Sequence, residues 1–458
     1  MSDRWPRAQP QGLWLLFVLE MWERYSYYGM RALLVLFLIA EVEDGGWGWS
    51  VEAASRLYGW YTGLVYLTPV LGGYFADRYL GTHRAIVIGA VLIALGHFSL
   101  AVETRGGFYT GLLLLILGTG FFKSNVSTLV GQLYGEHDPR RDGGFTIFYM
   151  GINLGAFIGP LVCGYLAASA RYGWRYGFGA AGVGMVVGLA VYLLCKARYL
   201  GTLGAPPARR HDAGSIAVRN SGHPLTPVER DRIAALLVIA FFVMFFWLAF
   251  EQAGSSMAVF AERHTDRTIS TELAAETGVP VIPAAWFQSL NPAFILLLAP
   301  LFSWLWMWLA ARGLEPRTPV KMALGLLLLG GGFVVLVLGA LANARGAPVS
   351  PLWLMGAIFL HTAGELCLSP VGLALVTRIA PVSMAAMLMG VWFLSSFAAN
   401  LLAGYLAGML EAVERGAVFH FLGGQADFFL ILVVISLAAG VLLLAIAGWL
   451  CRLMHGRG

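Results

Sequence analysis

The chain has 458 residues, of which 59% are hydrophobic and only 12% charged, with a formal net charge of +5 and a mean hydropathy of +0.73. Soluble domains carry about 25% charged residues, so this composition excludes a soluble protein and points to an integral membrane protein. Cys163, Cys195, Cys367 and Cys451 all fall within or at the ends of apolar runs. Their spacing fits neither a metal site nor a disulfide framework, and they read as small packing residues. No nucleic-acid motif is present and no cofactor is expected.

The first apolar run extends from about Gly12 to Ala40, after Arg4 and Arg7. It is too long for a leader peptide and is expected to stay as a membrane helix, which needs ~20 apolar residues. Inside it lies Glu20-Met21-Trp22-Glu23-Arg24-Tyr25-Ser26-Tyr27-Tyr28-Gly29, followed by Arg31. Each ionisable group there costs ~2.5–3.5 kcal/mol at a membrane-helix centre, so such groups face a partner or a watery cavity. Helical periodicity puts Glu20, Arg24, Tyr27 and Arg31 on one side, with Glu23 and Tyr28 flanking. A packing stripe needs one ion pair; two acids and two bases exceed that. The decapeptide resembles the E-x-x-E-R-[FY]-x-Y-Y motif of the proton-coupled oligopeptide transporters, a branch of the major facilitator superfamily. Tyr25 stands where Phe is usual.

Twelve runs of spanning length follow one another, centred near Leu19, Leu67, Leu92, Leu117, Phe157, Val186, Phe245, Leu298, Leu328, Glu365, Ser396 and Ser436. They are continuous rather than alternating, which predicts helices and not a barrel. A polar segment, 197–232, separates the sixth run from the seventh. The expected organisation is a six-helix bundle over 1–196, a cytoplasmic linker over 197–232 and a second six-helix bundle over 233–458. With both termini and the even-to-odd loops in the cytoplasm, that side collects most of the 30 Lys and Arg, as the positive-inside rule requires. The resemblance implies a multi-pass protein of the cell inner membrane.

After the second run, Gly72-Gly73-Tyr74-Phe75-Ala76-Asp77-Arg78-Tyr79-Leu80-Gly81-Thr82-His83-Arg84 resembles the superfamily's G-x-x-x-D-R-x-x-G-x-x-R loop, read as a gate or structural element. Tyr66-Leu67-Thr68-Pro69 matches the family's second-helix pattern, whose Tyr faces the peptide. Mammalian members have a His seven residues earlier, where this chain has Gly59, so carboxylates must take any role of that His. Lys123 is the one charge of the fourth run and calls for an acid on another helix; the family commonly has Pro after it, and Ser124 departs from that. Phe148-Tyr149-Met150-Gly151-Ile152-Asn153-Leu154-Gly155 resembles the F-Y-x-x-I-N-x-G signature. Asn153 offers a donor and an acceptor suited to a peptide backbone, or an interhelical hydrogen bond.

In the second half, Glu251 follows Trp247-Leu248-Ala249-Phe250 in the seventh helix. Trp286-Phe287-Gln288-Ser289-Leu290-Asn291-Pro292 opens the eighth, where Pro292 removes a backbone donor. Gly364-Glu365-Leu366-Cys367-Leu368-Ser369-Pro370 gives the tenth a lone carboxylate and a proline, and Trp392 with Ser395 and Ser396 gives the eleventh an aromatic wall. His97 and His361 read as packing histidines.

The resemblance implies symport of di- and tripeptides with protons by alternating access, through a protein that functions as a monomer in the lipid bilayer. Glu20, Glu23 and Arg24 would couple the proton. Salt bridges Arg31–Glu251 and Lys123–Glu365 would close the outer and inner ends of the cavity. The peptide carboxylate would lie near Arg24, Arg31 and Lys123, and its ammonium near Asn153, Asn291 and Glu365. Tyr27, Tyr28, Tyr66, Trp286, Ser369 and Trp392 would complete the substrate site. Another solute on the same fold, nitrate or a drug, would explain the cations but leave Glu365 and both Asn without a task. A peptide receptor that never completes transport is a different class. An enzyme is disfavoured, since no nucleophile–base or metal constellation appears among the polar helix residues.

Overall fold

The structure, a computed structural model, describes residues 8–135, 138–206, 226–270, 272, 274, 278, 279, 281–343, 346–379 and 384–455. Its regular structure is helical: α1 Gln11–Ile39, α2 Val51–Phe75, α3 Gly81–Leu100, α4 Arg105–Gln132, α5 Arg141–Ala168, α6 Trp174–Tyr199 and α7 Pro227–Phe250. Then come α8 Ser256–Arg263, α9 Leu290–Ala311, α10 Thr318–Asn343, α11 Leu352–Ile379, α12 Ala385–Gly408, α13 Leu410–Glu414 and α14 Gln425–Leu453. Among the described residues, ten helical stretches are long and apolar enough to cross a membrane.

The chain forms two compact units. One comprises Met1–Gly48, Leu64–Arg210 and Thr268–Ala293; the other comprises Trp49–Gly63, His211–Arg267 and Phe294–Gly458. In the first unit α1 packs along α5 and α6, and α3 packs along α4 and α6. Small residues let these backbones approach, the usual basis of packing where lipid supplies no hydrophobic drive between helices. A Cβ on Gly155 would overlap the Met21 carbonyl, and one on Gly159 the Tyr25 carbonyl. The charged motif is thereby pressed onto α5. In the second unit α10 packs against α11 and α14, and α7 against α12 and α14. The first half of α2 joins this unit through Gly59, where a Cβ would lie 2.8 Å from Gly404 Cα.

Three local features differ from a plain run-and-loop reading. The Asp77-Arg78 segment is a turn of π-helix, Ala76–Leu80, that continues α2 almost into α3, with the break at Gly81 (φ 75°). With ψ at 156° this is a conformation that glycine adopts without cost and other residues avoid, which is why the chain turns there. The predicted linker is helical at both ends. α6 runs to Tyr199, and α7 starts at Pro227 behind a Thr226–Glu229 capping box, the favoured arrangement for a helix start. Residues 207–225 of that linker lie outside the described residues. Gly204 O accepts the His83 N–H at 3.0 Å, so the linker's beginning is fastened to the α2–α3 turn. Finally, Pro292 occupies the first turn of α9, where an N–H has no helical partner in any case, so it breaks nothing. All four cysteines are free.

Candidate functional site

In the first unit the motif on α1 holds its charges against one another. Arg24 Nε lies 3.0 Å from Glu20 Oε1 and 2.5 Å from Glu23 Oε2, and all three side chains are at most 5% exposed. The i,i+4 spacing accounts for the first contact; the second joins adjacent residues. Lys123 of α4 is close enough to act electrostatically on both Glu20 and Glu23. Two carboxylates thus share two cations, a balance the position of Lys123 on another helix does not reveal by spacing.

Aromatic rings surround the cations. The Arg24 guanidinium carbon is 5.3 Å from the Tyr27 ring centroid, that of Arg31 is 5.7 Å from Tyr28, and Lys123 Nζ is 4.0 Å from Tyr66. Tyr27 and Tyr28 meet edge to face at 5.1 Å. Cation–π contacts of this kind attract a charge to the ring face. The α2–α4 seam that carries Tyr66 and Lys123 is fixed by hydrogen bonds. Thr68 Oγ1 donates to Ile116 O at 2.9 Å, and Ser124 Oγ donates to Pro69 O at 3.3 Å. Ser124, the departure from the family pattern, therefore serves that seam. Tyr25, the other departure, lies beside Cys163 of α5.

Asn153 is buried on α5, with one Nδ2 N–H given to Tyr149 O at 2.9 Å; the amide group has a second N–H and an acceptor oxygen besides. Trp286 and Ser289 stand on a 3₁₀ turn, Ala284–Ser289, ahead of α9. Trp286 Nε1 donates to Leu161 O at 2.9 Å and Ser289 Oγ to Phe157 O at 2.8 Å, tying this turn to α5. Asn291 follows in the same unit.

The second unit carries Glu251, Glu365, Ser369 and Trp392. Glu251 and Glu365 are buried, as is Trp392. Glu251 sits where α7 gives way to a 3₁₀ turn, Glu251–Gly254. That turn is braced by a residue with no role read from sequence: Gln252 Nε2 donates to Ala403 O at 3.1 Å and its Oε1 accepts from Ser256 Oγ at 2.6 Å. A polar residue beside a buried acid was the available signal. Ser369 is half-buried on α11. His97 is fully buried, and His361 is buried with its ring 4.5 Å from Phe333, in keeping with packing. Among the described residues no cluster suited to a metal ion occurs.

The model of the POT family, PTR2, matches residues 83–207 and 213–420. The peptide transporter YePEPT of Yersinia enterocolitica is 40% identical over 463 residues, 88% of this chain and 89% of its own. A di-/tripeptide transporter of Lactococcus lactis subsp. cremoris is 33% identical, with 98% and 97% covered. Among solved structures, a peptide transporter POT in complex with sulfate matches with a TM-score of 0.85 at 35% identity, covering 100% of this chain and 98% of that one. A POT family transporter in complex with 5-aminolevulinic acid matches with a TM-score of 0.84 at 28% identity, covering 96% and 97%.

Proposed function

We propose, for a chain that belongs to the POT family, the carriage of di- and tripeptides across the membrane together with protons, by alternating access. Peptide transporters among its relatives support the substrate class. The observation that carries the mechanism is the sharing of Glu20 and Glu23 between Arg24 and Lys123. With both acids ionised the four charges cancel. A proton taken up by either acid leaves one cation with spare charge, which a peptide carboxylate then satisfies. Releasing the proton reverses this, so proton and peptide favour each other's presence, as coupling between two sites requires.

Arg31–Glu251 and Lys123–Glu365 would serve as the outer and inner gates. In support, each proposed pair draws its cation from the first unit and its acid from the second. Arg24, Arg31 and Lys123 would receive the peptide carboxylate, and Asn153, Asn291 and Glu365 its ammonium. Tyr27, Tyr28, Tyr66, Trp286, Ser369 and Trp392 would shape the pockets; Trp286 has given its N–H to α5, so it offers a ring face. Nitrate would leave Glu365 and the asparagines idle.

The reading has twelve crossings with both termini inside, and two points support the count. The stretch Val51–Leu100 has 50 residues, enough for two spans, and α1 joins the ten through a motif whose charges are mutually compensated. Halves 1–196 and 233–458 joined by 197–232, a monomeric state and residence in the inner membrane complete the reading. The test is purified protein in vesicles with an inward proton gradient and labelled dialanine. A potential is worth ~2.3 kcal/mol per charge per 100 mV, so one proton per peptide sustains roughly tens-fold accumulation. Accumulation that survives collapse of the gradient would overturn the coupling.

A further inference from the structure

On the side of α1 opposite Glu20 and Arg24, a cavity of about 520 Å³ opens between α1, α3, α5 and α6. Its walls are Trp22, Phe98, Leu166, Val183 and Val187, with Tyr25 at its floor and Arg175 at one end. Val183 is 55% exposed and Val187 37%, so the groove is open along its length rather than sealed.

The helices make this groove by approaching unevenly. A Cβ on Gly188 would lie 2.7 Å from Trp22 Cβ, and one on Gly182 would lie 2.9 Å from Phe98 Cε1, so α6 is drawn tightly onto α1 and α3 at those points. On Gly179, which lines the groove, a Cβ would meet nothing within 4 Å. The stretch of α6 from Arg175 to Val187 rises about 18 Å, close to the ~15 Å depth of one leaflet of the hydrocarbon core.

Its charge lies at one end only. Arg175 is exposed in the first turn of α6, a turn with no acidic residue and no side-chain cap on its N-terminus. A helix N-terminus with a guanidinium beside it favours a phosphate. The α3–α4 and α5–α6 turns at this end carry Arg105 and Arg171 with Glu103, and the α1–α2 loop, whose Asp44 O accepts the Trp174 Nε1–H at 3.0 Å, adds Glu41, Glu43 and Asp44.

From an apolar channel one leaflet deep with a cation at its mouth, we infer that this groove holds a membrane phospholipid, one acyl chain along α6 and its phosphate on Arg175. The floor of the groove is the back of the motif helix, so the bound chain braces Trp22 and Tyr25 behind Glu23 and Arg24. The inference does not depend on which solute the protein carries.

The test is native mass spectrometry of delipidated protein titrated with palmitoyl-oleoyl phosphatidylglycerol. The unmodified protein should take up a first lipid more tightly than later ones. Arg175→Gln should weaken that first event about tenfold, equivalent to about 1.4 kcal/mol. Gly179→Phe fills the channel and should abolish it, and Ala180→Leu, a smaller intrusion in the same groove, should weaken it if Gly179→Phe does not fold. Val441→Phe, on the exposed part of α14 in the other unit, should leave it unchanged. The inference falls if Arg175→Gln and a folded groove-filling variant bind the first lipid as the unmodified protein does. It also falls if the groove variants break up a dimer while lipid uptake persists, which would make a second copy the occupant.

Discussion

Replacing Arg24 by alanine strands two carboxylates inside the first unit. Arg24 Nε stands 3.0 Å from Glu20 and 2.5 Å from Glu23, with no side chain of the three more than 5% exposed. Two unit charges 4 Å apart interact by ~4 kcal/mol at an effective dielectric constant of 20, and breaking a buried pair by removing one partner costs ~3–5 kcal/mol. Lys123 still acts on both acids, and one acid escapes its charge by taking a proton. The expected loss therefore sits at the lower end, about 3 kcal/mol. The check is equilibrium unfolding in detergent, with Arg24→Ala compared against Arg24→Ala combined with Glu20→Gln and Glu23→Gln. Removing the stranded charges should recover at least half of the loss, since the three residues act as one unit and their effects are not additive. An Arg24→Ala protein as stable as the unmodified chain, or a triple variant no better than the single one, would refute the shared-charge arrangement.

Glu20→Gln and Glu23→Gln should each suppress gradient-driven dialanine uptake while sparing peptide counterflow; full driven uptake in either variant removes that residue from the proton path. Lys123→Ala and Glu365→Ala should each abolish driven uptake, and a double-mutant cycle on peptide affinity should be non-additive, by 0.5 kcal/mol or more on the usual scale of ~0.5–3 kcal/mol for contacting residues. Strict additivity would dismiss the inner gate. Trp286→Phe keeps a ring but loses the bond to Leu161 O, so stability should fall by ~0.5–1.5 kcal/mol with peptide affinity unchanged. A large loss of affinity without loss of stability would instead give the indole N–H a direct role. Gly159→Leu should drive α1 off α5 at the Tyr25 carbonyl, at a cost of ~1–3 kcal/mol or more, read by the same unfolding assay.

The motif on α1 was legible because charge inside an apolar run is costly and therefore rare. Spacing alone put Glu20 next to Arg24, and the contact is there. Asn153 was legible as a polar residue in such a run, but not the fact that one of its N–H groups is given to Tyr149 O. Contacts made to backbone carbonyls leave no mark in a sequence, because every residue has one. For that reason the fastening of Trp286 to α5 and of Gln252 to α12 went unread. The π turn at Ala76–Leu80 was hidden for a related reason. Gly72, Gly73 and Gly81 signal a bend, whereas only Gly81 turns the chain, and Gly72 serves close approach to Gly120 of α4. Lys123 announced a need for acids but not which ones. Its action on Glu20 and Glu23 depends on how α1 and α4 pack, and that follows from glycine seams spread over the whole unit.

The coupling itself is tested most directly without any imposed proton gradient. Vesicles containing the purified protein and a pH-sensitive dye are given dialanine on the outside only, with the membrane potential clamped at zero. If peptide and proton move together, the dialanine gradient should acidify the lumen, and Glu23→Gln vesicles should show no such change. Entry of labelled dialanine with the lumen pH unmoved would contradict the account.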